Sequence, residues 1–235
     1  LALAFYAEVL VDQQEWTQAE EYAKQAVVLG PELMDTHRVH GYVLESLSYY
    51  NAAIEEYLKA AQINPNLTIL YIYVGLNYRT LAGKAAEPQQ TQLYGQALDY
   101  FSRAAMINET LRVQDPIPYV EIAKTYAQQG EFFVASRNAE KALAFDPTNL
   151  NTYGQLGSIY VQARNYEGAL PILKCAVEGC AIEADADDIS VDGASVLFCP
   201  LDEGCSLPNN VPSPYQASGL PLSSQTVAYY YLRYG

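Results

Sequence analysis

The amino-acid sequence predicts an all-α solenoid of stacked helical hairpins. A pattern returns about every 34 residues: a small residue, an aromatic residue or Leu three positions later, two Ala seven positions apart, and then often a Pro. Repeats of this length are typical of solenoids, in which each hairpin packs only on its neighbours. Half of the residues are hydrophobic, so the chain is not a disordered polar polymer.

Five copies of the pattern follow one another. The clearest copy contains Gly41, Leu44, Ala53, Ala60 and Pro65. A proline lacks the backbone N–H that a helix interior needs, so it ends the second helix of a hairpin. The five repeats are predicted at about residues 1–33, 34–67, 68–111, 116–149 and 150–183. The first residues carry this pattern, so we expect the sequence to begin inside a helix.

The regular pattern is interrupted in two places. About ten extra residues around Gly83–Gly95 separate the two helices of the third repeat. Residues 184–221 are predicted to be a loop insertion rich in Cys, Pro and acidic residues, and a segment of this length is usually functional or disordered. Residues 222–235 are predicted to be the first helix of an incomplete sixth repeat, because Val227, Tyr230, Tyr231 and Tyr234 have the same spacing.

The pattern resembles that of tetratricopeptide repeats. This resemblance implies antiparallel hairpins of a helix A and a helix B, arranged in a right-handed superhelix whose groove is lined by the A helices. It also implies that a peptide or partner protein binds in the groove. In this sequence the central groove positions are apolar, with Arg38, Arg79 and Lys124 as isolated cations around them. The candidate groove residues are Arg38, Tyr42, Ile69, Ile72, Leu76, Arg79, Val120 and Lys124. Family members that bind chaperones use Lys and Asn to hold a carboxylate; here Ala4 and Glu8 occupy those positions, so this clamp is not supported.

All four cysteines, Cys175, Cys180, Cys199 and Cys205, lie close together in the sequence. Disulfides, a zinc site and free thiols are all compatible with this clustering, and the wide spacings within each pair do not favour zinc. Four cysteines allow three disulfide pairings, which the sequence does not distinguish. Disulfides would place the protein in an oxidising compartment: the periplasm, the cell surface or the extracellular space.

The sequence contains no catalytic signature. His37 and His40 are the only histidines, and three positions apart on one helix they are predicted to be packed residues or groove residues. The acidic run at Asp185, Asp187, Asp188 and Asp192 does not fit the EF-hand template and is interpreted as a solvated loop. We therefore expect no catalysis, no cofactor and no metal.

The formal net charge of −14 argues against nucleic acids and anionic membranes as partners, because both require basic patches. No long apolar run indicates a membrane span. The sequence thus predicts a non-catalytic scaffold that binds a protein or peptide partner, and localisation outside the cytoplasm. Two alternatives remain open: a structural subunit that self-assembles through the ends of the array, and a recruiting module of a larger enzyme.

Overall fold

A computed structural model describes residues 1–183, 197–201 and 206–212. These residues form ten α-helices and three β-strands, and the chain divides into two units, Leu1–Val113 (unit 1) and Gln114–Gly235 (unit 2). The helices are α1 (Ala2–Asp12), α2 (Trp16–Leu29), α3 (Met34–Ser46), α4 (Tyr50–Ile63), α5 (Thr68–Lys84), α6 (Gln89–Leu111), α7 (Ile117–Gln128), α8 (Phe132–Phe145), α9 (Leu150–Gln162) and α10 (Tyr166–Glu178). The strands are β1 (Gly179–Glu183), β2 (Leu197–Pro200) and β3 (Asn209–Pro212). The ten helices confirm the predicted all-α repeat fold.

Unit 1 consists of the hairpins α1–α2, α3–α4 and α5–α6, each packed on the next. Its first core cluster contains small residues from α1 and α2, such as Ala7 and Ala23, together with Val39 and Val43 of α3. Small side chains let the helices approach closely, while the branched residues of the next hairpin fill the remaining space. Odd-numbered helices are the A helices of the repeats and even-numbered helices are the B helices.

The small residue of the pattern lies where helix A crosses helix B. A Cβ atom added to Gly41 would lie 2.9 Å from the ring of Tyr57, and one added to Gly75 would lie 2.4 Å from the ring of Phe101. In unit 2 the same addition to Gly157 would meet Leu173 at 2.5 Å. The spacing between the small residue and the large residue of helix B is therefore a packing requirement.

A second recurring contact joins the start of helix A to the turn before it. In three repeats a side chain near the start of helix A donates a hydrogen bond to the carbonyl oxygen of a proline six residues earlier. The pairs are His37 with Pro31 (2.8 Å), Tyr71 with Pro65 (3.2 Å) and Tyr153 with Pro147 (3.0 Å). Each of these side chains is buried, so without this hydrogen bond its polar group would have no partner in the core.

The turns between helix A and helix B share one backbone conformation in four repeats. The residue after the helix cap has a positive φ: 63° at Gln14, 65° at Ser48, 81° at Gly130 and 59° at Arg164. The following N–H then bonds to a carbonyl five residues earlier, as in Glu15 to Leu10 at 2.9 Å. Three of the four positions hold a residue other than glycine, although glycine suits this conformation best.

The extra residues of the third repeat extend its two helices. These residues were predicted to lie between the helices, but α5 continues to Lys84 and α6 already begins at Gln89. Only 85–88 remain as the connection. Without a proline at its end, α6 also continues past Glu109 to Leu111, where Arg112 adopts a left-handed conformation.

Unit 2 consists of the hairpins α7–α8 and α9–α10 followed by a three-stranded antiparallel sheet in the order β2-β1-β3. Ile182 of β1, Phe198 of β2 and Val211 of β3 contribute to the same apolar cluster as α9 and α10. The ring of Phe198 contacts that of Tyr153 edge to face at 5.3 Å. The sheet therefore packs on the last hairpin.

The sequence analysis did not predict these strands. It extended the fifth repeat to residue 183, whereas α10 ends at Glu178. Gly179 follows with φ 95°, a conformation that stops a helix and that glycine adopts without strain. No helix of the described ranges is both long enough and apolar enough to cross a bilayer.

Candidate functional site

The eight candidate groove residues divide between the two units. Six lie on α3 and α5 of unit 1, and Val120 and Lys124 lie on α7 of unit 2. Within unit 1, Tyr42, Ile69 and Leu76 are partly exposed. Ile72 is only 3% exposed, so its side chain belongs to the core and is not available to a partner.

Arg38 is not the isolated cation that the sequence analysis expected. Its guanidinium donates two hydrogen bonds to the Glu8 carboxylate, both 3.1 Å long, and one to Asp35 at 3.2 Å. The hydrogen bond with Glu8 is the main cause that raises the pKa of Arg38, and it outweighs the opposing effect of burial. The bidentate pair holds α1 and α3 together and fixes the Arg38 side chain.

The other two cations are engaged as well. The Arg79 guanidinium lies 5.5 Å from the centre of the Phe101 ring, within the range of a cation–π contact. Lys124 in unit 2 bonds to Glu121 at 2.8 Å. The three predicted cations therefore have partners inside their own units.

Carboxylates surround the Tyr42 side chain. Its hydroxyl donates to Asp12 of α1 at 3.4 Å. Burial raises the pKa of the Tyr42 hydroxyl, and the negative charges of Asp12, Glu8 and Glu45 raise it further. The electrostatic potential around this hydroxyl is thus negative.

Glu45 links α3 to α4 and α5 through neutral donors. Its Oε2 atom accepts hydrogen bonds from the Tyr57 hydroxyl and from Asn77 Nδ2, both 2.9 Å long. Burial is the main cause that raises the pKa of Tyr57, and the charge of Glu45 adds to it. Asn77 is 1% exposed, and its Oδ1 atom has no hydrogen-bond partner among the described residues.

These contacts join Glu8, Asp12, Arg38, Tyr42 and Glu45, and the repeat register adds Ile69 and Leu76, two partly exposed residues of α5 that occupy the positions 34 residues after Asp35 and Tyr42. We call the surface formed by these seven residues the A-helix face of unit 1. The repeat register maps Glu45 to the groove, but Glu8 and Asp12 were not among the groove residues predicted from the sequence. The repeat register offered a signal for them, because Glu8 and Asp12 occupy in the first repeat the positions that Tyr42 and Ser46 occupy in the second.

The two histidines lie beside a buried carboxylate at the α3–α4 contact. His37 Nδ1 is 2.6 Å and His40 Nδ1 is 3.5 Å from Glu56 Oε2, while Lys59 bonds to Glu56 Oε1 at 2.7 Å. Burial raises the pKa of Glu56, but the contacts with His40, His37 and Lys59 outweigh burial and lower it to about 2. The cluster is an ion-paired part of the hairpin core.

The cysteines of the described region are oxidised. Cys175 of α10 and Cys180 of β1 form a disulfide with their Cα atoms 4.9 Å apart, and both residues are fully buried. Cys199 is also disulfide-bonded. Within the described residues, no three His, Cys, Asp or Glu side chains are placed to hold a metal ion.

Several predicted features lie outside the described residues. They are Cys205, the acidic run Asp185, Asp187, Asp188 and Asp192, most of the loop insertion at 184–221, and the sixth-repeat helix with Val227, Tyr230, Tyr231 and Tyr234.

Comparison with known proteins agrees with the architecture. Residues 39–67 match the tetratricopeptide repeat sequence family, and no curated protein matches the chain. The crystal structure of MamA is similar at 18% identity and a TM-score of 0.58, with 72% of this chain and 91% of that chain covered. The Thermus thermophilus protein TTC0263, reported as a thermophilic TPR protein, gives 18% identity and a TM-score of 0.61 over 74% and 88% of the two chains.

A third solved structure adds a functional description. YrrB, reported as a TPR protein with an unusual peptide-binding site, is 20% identical to this chain. The similarity covers 82% of this chain and 87% of YrrB at a TM-score of 0.53. At these identities the similarity establishes the fold. The chain therefore contains a tetratricopeptide repeat at residues 39–67 and adopts the all-α tetratricopeptide-repeat fold that its sequence predicts.

Proposed function

We propose that the protein is a non-catalytic interaction scaffold that binds a peptide segment of a partner along the A-helix face of unit 1. One observation carries this proposal. Tyr42, Ile69 and Leu76 present partly exposed apolar surface on α3 and α5, on a face whose charged side chains are held by hydrogen bonds. Apolar anchors beside fixed polar groups suit the recognition of an extended or helical peptide.

The rigidity of this face favours binding. Arg38 is fixed by Glu8 and Asp35, and Glu45 is fixed by Tyr57 and Asn77. Side chains that are already ordered lose little conformational entropy when a partner binds, so more of the interaction energy appears as affinity. The peptide-binding site reported for YrrB, which shares the fold, supports the same type of function.

Selection of a random peptide phage library on the immobilised full chain tests the proposal. We expect the enriched peptides to bind the wild type and Leu29→Asp equally, and to lose binding to Leu76→Asp. Leu29 is the matched control because it is 76% exposed on α2, a B helix, and receives the same substitution. Equal binding to Leu76→Asp, or failure to enrich any peptide, would refute the proposal.

A second candidate function is self-association through α1, the structural alternative of the sequence analysis. Phe5 and Val9 are 46% and 49% exposed, whereas Val39 and Val43, the equivalent residues one repeat later, are fully buried against the preceding hairpin. Sedimentation velocity tests this function: we expect concentration-dependent oligomers that Phe5→Asp dissociates and Leu29→Asp leaves intact. A monomer at every concentration would exclude it.

We infer further that the protein works in an oxidising compartment. The support is the buried Cys175–Cys180 disulfide together with the oxidised state of Cys199. Disulfides persist mainly outside the cytoplasm. Intact mass spectrometry of protein isolated from its native source under alkylating conditions tests this inference, and alkylation of all four cysteines would contradict it.

A further inference from the structure

We propose that Asp12, Tyr42 and Glu45 form a subsite for a Lys or Arg side chain, so that the A-helix face of unit 1 selects basic segments over acidic ones. This inference rests on the proposed function and adds the chemistry of the partner. Isolated cations in the groove would favour acidic segments, and the subsite has the opposite preference. The preference of this face for one charge follows from which of its own charges are neutralised within the protein and which are not.

The positive charges of the face are already used. Arg38 is shared between the carboxylates of Glu8 and Asp35, and Arg79 lies over the Phe101 ring. An acidic peptide would have to displace Glu8 or Asp35 to reach Arg38, and it would leave a carboxylate without its partner. Breaking a bidentate ion pair in this way opposes binding.

Two carboxylates of the face are not neutralised. Asp12 and Glu45 accept hydrogen bonds only from neutral groups, and neither has a cationic partner among the described residues. Tyr42 is next to both: its hydroxyl bonds to Asp12, and it precedes Glu45 by three residues on α3, a spacing that makes the two side chains neighbours on the helix surface. A half-buried aromatic ring flanked by carboxylates matches the two preferences of an ammonium or guanidinium group, which are a π face and charged acceptors.

Asn77 provides an independent indication. Its Nδ2 atom donates to Glu45 Oε2 at 2.9 Å, so its amide borders the subsite, and Asn77 is 1% exposed. Its Oδ1 atom is buried without a hydrogen-bond partner among the described residues. A buried acceptor that lacks a donor destabilises the protein, and a cationic side chain bound at Glu45 would bring N–H donors next to this amide. Lys and Arg carry such donors, whereas Asp and Glu carry none when ionised.

The test uses the full chain and matched fluorescent peptides. A leucine-containing peptide enriched in the phage selection is synthesised with Lys, Gln or Glu at one position, and its affinity is measured by fluorescence anisotropy at low and high salt. We expect the Lys peptide to bind roughly 3- to 10-fold more tightly than the Gln peptide at low salt, with the Glu peptide weakest. Added salt should reduce the difference between them.

Three charge-neutralising variants locate the effect. Asp12→Asn and Glu45→Gln should each lower the preference for Lys by about threefold while the Gln peptide keeps its affinity. Glu21→Gln removes the same charge from the exposed side of α2 and should change nothing. Circular dichroism tests whether each variant is folded. Asp12→Asn changes an exposed side chain, so it tests the subsite even if Glu45→Gln unfolds.

The other outcomes separate the subsite from the proposed function. Equal affinity for the Lys, Gln and Glu peptides, with binding still lost in Leu76→Asp, overturns the subsite and leaves the scaffold function intact. An equal loss of preference in Glu21→Gln assigns the effect to the overall net charge and also overturns the subsite. If no peptide binds at all, the proposed function fails as well.

Discussion

Replacement of Gln14 by glycine should stabilise unit 1, because the turn between α1 and α2 forces this residue into a left-handed conformation. Gln14 has a φ of 63°, is exposed, and makes no side-chain hydrogen bond to the described residues. A left-handed conformation costs an L-residue about 1–2 kcal/mol. Glycine avoids this cost but loses about 0.5–1 kcal/mol more in backbone entropy on folding. The net effect is a gain of up to about 1.5 kcal/mol, with a central value of about 0.75 kcal/mol.

The neighbouring residue provides a matched control. Gln13 has a φ of −84° and a ψ of 0°, which any residue adopts easily. Gln13→Gly therefore carries only the entropy loss and should destabilise unit 1 by up to about 1 kcal/mol. For a unit of this size, Gln14→Gly should raise the melting temperature by about 2–4 °C in a thermal unfolding experiment, while Gln13→Gly should lower it. Equal destabilisation by both substitutions would refute the argument that backbone strain is stored in this turn.

Two further predictions concern the hairpins of unit 1. Gly41→Ala should destabilise by about 1–3 kcal/mol in urea unfolding, because its Cβ would lie 2.9 Å from the buried Tyr57 ring. Gly95→Ala, with nothing within 4 Å, should instead stabilise α6 by up to about 1 kcal/mol; a loss at both sites would contradict the packing argument. Glu56→Gln should lower stability near neutral pH by about 3 kcal/mol, because the pKa of Glu56 falls from 4.5 to about 2 on folding and each pKa unit corresponds to about 1.4 kcal/mol. Because the folded pKa of Glu56, about 2, is below its ordinary 4.5, the stabilisation is present above pH 4.5 and is lost as the pH falls towards 2. Acid unfolding followed by circular dichroism should therefore be steeper in the wild type than in the variant, and parallel curves would exclude an ionised, paired Glu56.

The features that depend on local spacing could be predicted from the sequence. The small Gly41 and the aromatic Tyr57 identified a close helix crossing, because such a contact depends mainly on the sizes of two residues at a fixed separation in the sequence. The sheet could not be predicted in this way. Its central strand pairs residue 181 with 199 and with 210, and these partners depend on a chain reversal that no short motif specifies.

The candidate site shows the same limit. The repeat register identified Arg38 and Tyr42, with Asp35 and Glu45 of the same helix, as groove residues, but it did not identify the carboxylates of the preceding repeat that bond to Arg38 and Tyr42. Glu8 lies 30 residues from Arg38, and so does Asp12 from Tyr42. A charge at one position can be assessed only when the side chains of the neighbouring repeat are known, because pairs across helices decide whether that charge is available to a partner.

The hydrogen bonds from His37, Tyr71 and Tyr153 to proline carbonyls have a consequence for cooperativity. Each bond connects the first turn of one hairpin to the segment that leaves the preceding hairpin. When the preceding hairpin opens, the following one loses a buried hydrogen bond as well as apolar contacts. The bonds therefore add to the nearest-neighbour coupling that makes a linear array unfold in blocks. Hairpins joined in this way should exchange their amide protons together, with similar opening free energies.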